Sequence, residues 1–273
     1  MPAERRLDNH PRRFELTNEL HARPYMALSA PGRALMIAFK PEGNAQERDP
    51  EGDRAHLLAL IERHGGPHPA PGASHFLATL GRFAMKWERH TEFVTYTVTE
   101  EGAADQLFTG GLAEHFPTDW LDQAPGRVTA AAEIEVLRVD SLADAEALLV
   151  RERLGRAFAS ESLALARTLD DGALAVGDFR IHEGGFSRFA LIVYAEIGAR
   201  RVGRAVQRLV EIENYRMLAM LALPIARQTS ERLNEIDREL TQLIAAVANR
   251  DQPRPEQELL DQLTRLSAEI EAL

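Results

Sequence analysis

Near Gly198 the spacing of apolar residues switches from every second position to alternating steps of three and four, and this switch decides the class of fold. Period two marks a strand with one buried face, whereas steps of three and four keep apolar side chains on one side of a helix. Before the switch, Val94, Tyr96 and Val98 share one face of a strand, and Phe93, Thr95 and Thr97 share the other. After it, Leu233, Ile236, Leu240, Leu243 and Val247 form one helical stripe, and Leu259, Leu263, Leu266, Ile270 and Leu273 form a second. The expected fold is α+β: a mixed, mostly antiparallel sheet with helices over residues 1–198, then a C-terminal antiparallel helical arm over 199–273.

The same reading places strands at 34–39, 76–80, 82–88, 93–99, 128–139, 163–168, 173–181 and 188–194. Turn signals stand at Asp170-Asp171-Gly172 and Glu183-Gly184-Gly185. Helices are expected over 11–21, with proline in the first turn, over a segment capped by Asp53 and carrying Leu57, Leu58 and Ile61, and over 141–153 with Ser141 as cap. These helices are expected on one side of the sheet. After Gly198 three helices are expected, the second starting beside Pro224 at about Ile225 and the third folding back through a short loop at 249–253. The last stripe is still running at Leu273 with no cap, glycine or charged final turn, so a longer native polypeptide is expected.

Composition narrows the function classes. With 45% hydrophobic and 27% charged residues the chain reads as globular. It carries 32 Lys and Arg against 42 Asp and Glu, a formal charge of -10 that repels nucleic acid. It contains no cysteine, which removes disulfides, thiolate chemistry and cysteine-ligated metals. The first eleven residues have basic groups with no apolar run behind them, unlike a secretory signal. The longest apolar run, 217–226, is interrupted by Pro224 and falls short of the roughly 20 residues that cross a bilayer. A soluble fragment on the cytoplasmic side is the expectation.

Four runs carry a resemblance: Asn18-Glu19-Leu20-His21-Ala22-Arg23-Pro24-Tyr25; Lys86-Trp87-Glu88-Arg89-His90-Thr91-Glu92-Phe93 with Thr95-Tyr96-Thr97; Gly185-Phe186-Ser187-Arg188-Phe189; and the stretch from Arg204 to Leu218. With these the chain resembles the bacterial family called domain of unknown function 3422, whose members are described as membrane-anchored. The resemblance implies further helices and a hydrophobic C-terminal segment after the arm, and a place at the cytoplasmic side of the inner membrane.

Three groups of residues are candidate binding sites. Glu19, His21 and Arg23 put a carboxylate, an imidazole and a guanidinium at a helix end, able to hold a metal or an anion or simply to tie the terminus to the core. Glu88, His90 and Glu92 alternate along an extended segment, as a metal site would, but alternating charge is also what a solvated sheet face looks like, and that reading is preferred. Arg200, Arg204 and Arg208 share a helical face able to meet lipid headgroups or an acidic partner. A solvated stripe relieved by Glu211 and Glu213 is the simpler reading of these arginines. No metal, cofactor or catalytic residue is assigned.

Two functions follow from this. The first is the cytoplasmic part of a membrane-anchored protein that assembles with itself or a protein partner through its helical arm. The second is a metal-dependent enzyme built from Glu19, His21, Arg23, Glu88 and His90, or a soluble domain resembling that of the CorA magnesium channels in the order of its parts. Distance discriminates them, because an enzyme needs these side chains around one pocket.

Overall fold

The computed structural model describes residues 10–11, 13, 25–42, 48–103, 106–109, 111–150, 154, 156–248 and 255–272. Most of the helix expected over 11–21, with Glu19 and His21, lies outside the described residues, as do Arg23 and the loop 249–253.

Eight strands make one sheet: β1 Gly32–Lys40, β2 His75–Leu80, β3 Phe83–Arg89, β4 Val94–Glu101, β5 Arg127–Arg138, β6 Ala164–Thr168, β7 Ala173–Ile181 and β8 Ser187–Val193. Their order is β2-β3-β4-β1-β5-β8-β7-β6. Every neighbouring pair is antiparallel except β5 with β8, so the sheet is mixed and mostly antiparallel. The centre goes to β1 because its side chains are apolar on both sides: Leu35, Ile37 and Phe39 on one face and Ala34, Met36 and Ala38 on the other are all buried. A strand of this kind is stable only where both faces are covered.

The first face is covered by α1 (Pro50–Arg63), α2 (Thr118–Leu121) and α3 (Leu142–Val150). Near β1 its core gathers Leu57, Ile61, Trp87, Tyr96 and Trp120 around Phe39, and further along Phe158, Leu174, Ala190 and Ile192 gather in a second cluster. The other face is covered by the opening turns of α4 (Ala199–Ala248), whose Val202, Val206 and Val210 are buried. Helices therefore pack on both faces and not on one, as the two-sided burial of β1 and β8 demands.

Two further expectations are corrected. Asp49, not Asp53, caps α1, its carboxylate accepting from the Glu51 N–H at 3.0 Å, while Asp53 is buried inside the helix and pairs with Arg48 at 2.8 Å. The expected cap at Ser141 is present, its hydroxyl accepting from the Asp144 N–H at 3.2 Å. Among the described residues the arm has two helices rather than three, because α4 runs through Pro224 without a break. Proline there removes one hydrogen bond to the Met220 carbonyl, a cost of about 3 kcal/mol that the turns on either side outweigh.

The chain divides after Tyr215 into two compact units, Met1–Tyr215 and Arg216–Leu273. The sheet and the first turns of α4 belong to the first unit. In the second, α5 (Glu256–Ala272) lies antiparallel to the later part of α4. Arg232 pairs with Glu269 and Arg265 with Glu239, while Ile236, Leu243 and Leu266 are buried.

Candidate functional site

Glu88, His90 and Glu92 do not form a group. Glu88 is buried, on the sheet face that α4 covers, and its carboxylate meets the Lys86 ammonium at 2.8 Å. That ammonium also donates to the Gln207 side chain. His90 is buried and stacked on Phe93 at 3.9 Å, and Glu92 is exposed with Lys40 at 4.0 Å. The part of this face that carries Glu88 is thus covered and not solvated, its charge paired with Lys86 beneath a helix distant in sequence, while Glu92 is exposed. Among the described residues no group of three or more His, Asp or Glu side chains could hold a metal ion.

The arginine stripe is a different matter. Arg200, Arg201, Arg204 and Arg208 line a cleft of about 340 Å³ together with Tyr25 and the Thr168-Leu169-Asp170 turn. Three elements build it. The opening turns of α4 set the arginines at helical spacing. The segment leading into β1 runs along those turns, its Leu28 N–H donating to the Ala199 carbonyl at 3.1 Å, and this brings Tyr25 under Arg204. The Arg204 guanidinium lies 4.8 Å from the centre of the Tyr25 ring and donates to its hydroxyl at 3.3 Å. The β6–β7 turn closes the third side, and its Leu169, Asp170 and Asp171 are all left-handed, at φ of 57, 56 and 60°.

Asp170 pairs with Arg201 at 2.5 Å. Of the residues expected to relieve the stripe, Glu211 accepts from the Gln207 side chain at 2.8 Å, and Glu213, buried, accepts from the Ser187 hydroxyl at 2.7 Å. Arg200 and Arg208 are exposed and have no carboxylate partner among the described residues. Four guanidinium groups thus share the cleft with one carboxylate, beside the positive end of a long helix.

Sequence reasoning passed over Glu133 and Glu135. They point from β5 to the first face of the sheet, where burial raises the pKa of both carboxyls. Glu135 accepts from the Phe108 N–H at 3.0 Å, and Glu133 faces Arg188. Paired carboxyls with raised pKa are a signature of acid–base chemistry, and the alternation of acid and apolar residues in Glu133-Ile134-Glu135-Val136 was the available signal. The adjoining space, however, is about 10 Å³, enough for one water molecule and too small for a substrate.

In the second unit the hairpin buries only part of its apolar surface. Leu260, Leu263 and Ile270 on α5, and Leu233, Ile244 and Val247 on α4, remain 44–62% exposed. At the helical step, the three exposed residues of α5 fall within about 80° of one another and adjoin buried Leu266. The exposed rows extend the packed seam sideways. They are not scattered over the surface.

The family model described as "Protein of unknown function (DUF3422)" matches residues 8–273, and the chain belongs to that family. No curated protein and no solved structure matches it. Among the described residues no helix is long and apolar enough to cross a membrane.

Proposed function

We propose that this chain is an interaction module that self-assembles, the α4–α5 hairpin of one copy packing against that of a second as a coiled coil. The observation that carries the reading is the set of exposed apolar residues Leu260, Leu263 and Ile270 on one side of α5, beside the packed seam. A two-helix hairpin has no third element to cover them, and apolar residues on one side of a helix are the knobs a further helix pair accepts. Attachment at the cytoplasmic side of the inner membrane, through a hydrophobic segment outside the present residues, belongs to the same proposal and rests on the family resemblance. A protein partner in place of the second copy is the alternative occupant. The metal-enzyme reading has less support, since Glu88 is held by Lys86 and His90 by Phe93.

The chain has no cysteine, so a single introduced one reports on contact without background. Leu263→Cys should give a disulfide-linked dimer under mild oxidation, whereas Glu258→Cys, on the opposite side of α5, should not. Equal cross-linking at both positions, or none at Leu263, would contradict assembly through this row.

A further inference from the structure

The arginine cleft has no part in that assembly, and its chemistry points elsewhere. We infer that it binds a phosphate group, carried either by a small soluble ester or by a lipid headgroup.

The charge balance is local. The chain as a whole carries -10 and repels anions at long range, so an anion held here must be held by contact. The cleft offers that contact. Of its four guanidinium groups, Arg201 is engaged with Asp170 and Arg204 is stacked on Tyr25, which leaves Arg200 and Arg208 facing the space with no carboxylate partner among the described residues. Each guanidinium presents a planar fork of donors that matches two oxygens of a tetrahedral phosphate, and a phosphate dianion accepts several such forks at once.

Two further features match a phosphate. α4 begins at Ala199, so the positive end of its dipole lies beside Arg200 and Arg201, while the Arg201 and Val202 N–H groups donate to the Gly198 carbonyl at 2.9 and 3.3 Å. The cleft, at about 340 Å³, is at the small end of ligand sites, a size for a headgroup or a compact ester. The third wall is built from three successive left-handed residues, among them a leucine, a conformation that L residues with side chains adopt at a cost. That turn also sets Asp170 against Arg201, which orients one guanidinium, while Arg200 and Arg208 have no carboxylate partner among the described residues.

The test uses the whole chain at low ionic strength, with inorganic phosphate as the soluble probe and phosphatidylcholine vesicles with or without phosphatidylglycerol as the lipid probe. The variant is R200Q/R208Q, which removes the two arginines that have no carboxylate partner among the described residues. R238Q, at an exposed arginine on the later part of α4, is the control for loss of a positive charge away from the cleft.

Calorimetric titration should show phosphate binding by the wild type and by R238Q, weakened about tenfold or more in R200Q/R208Q. Flotation with phosphatidylglycerol vesicles that is lost in R200Q/R208Q assigns the phosphate to a lipid headgroup, and phosphate binding without flotation assigns it to a soluble ester. Absence of binding by the wild type in both arms overturns the inference, as does equal binding by R200Q/R208Q. If the double variant melts early, R200K/R208K retains the charge without the fork, and its affinity should fall between those of the wild type and R238Q on one side and background on the other. Wild-type affinity in R200K/R208K would show that no fork geometry is read.

Discussion

Gly203 and Met26 meet backbone to backbone: a Cβ added to Gly203 would stand 1.9 Å from the Met26 carbonyl oxygen. Glycine in the middle of a helix ordinarily costs up to about 1 kcal/mol relative to alanine. Here it permits the segment before β1 to lie on α4, the contact that also places Tyr25 beneath Arg204. Gly203→Ala should therefore lower stability, by about 1 to 3 kcal/mol, because the clash is with backbone and no side chain can swing aside. A melting midpoint at or above that of the wild type would show that the two backbones do not approach in solution.

Lys86 and Glu88 form a buried pair at 2.8 Å, each within 4% of full side-chain burial. Removing one partner leaves the other charged and desolvated. Lys86→Met should cost about 3 to 5 kcal/mol, and Lys86→Met with Glu88→Leu should recover a large part of it. Chemical denaturation of the two single variants and the double one measures the coupling, and simple additivity would argue that the pair is solvated.

His56 gives the first unit a dependence on pH. Its ring stacks on Trp120 at 4.0 Å, with Nδ1 beside the Tyr96 hydroxyl and Nε2 beside the Trp120 carbonyl. Burial lowers its pKa from 6.5 to about 4. In the unfolded chain the ring takes up a proton as pH falls through 6.5, while the folded ring stays neutral until about 4. The folded state thus loses stability between those two values, by about 3 kcal/mol in all, and the loss levels off below the lower one. Buried carboxyls such as Glu133 shift the balance the other way, so the informative quantity is the difference between wild type and His56→Gln. Trp120 fluorescence during urea unfolding at pH 7 and at pH 4.5 reads it. The wild type should lose more stability than the variant on acidification, and equal losses would mean that the ring is already charged or exposed.

The strands were legible because alternation is a local property: Val94, Tyr96 and Val98 face Phe39 and Trp87 as their spacing requires. The cover on the second face was not, since Glu88 read as solvated until α4, far along the chain, is laid over it and over its partner Lys86 through Gln207. Asp53 and Asp49 are equally good caps by residue type, and what separates them is Pro50, which starts the helix one residue after Asp49. Pro224 misled in the opposite direction, because one missing hydrogen bond does not end a helix of 50 residues. Of the arginine cleft, the stripe Arg200, Arg204 and Arg208 was visible as steps of four. Tyr25 and the turn at Asp170 join it only through tertiary packing.

The cross-helix contacts of the hairpin should contribute unequally. Leu266 is buried, and Leu266→Ala should destabilise the second unit by about 2 to 4 kcal/mol. Arg265 is exposed where it meets Glu239, and Arg265→Ala should change stability by less than about 1 kcal/mol. Helical circular dichroism during thermal unfolding separates the two, and a larger effect at Arg265 would place the hairpin's stability in its charges.

The central claim is that the exposed row on α5 is an assembly surface, and the most direct measurement is the mass of the chain by light scattering across a range of concentrations. One copy weighs 30.4 kDa. The wild type should approach twice that mass or a higher multiple as concentration rises, while Leu260→Glu with Leu263→Glu, at positions that are exposed in the single chain and so harmless to its fold, should remain at the mass of one copy. A wild type that stays at the mass of one copy throughout, or a double variant that assembles as the wild type does, would contradict it.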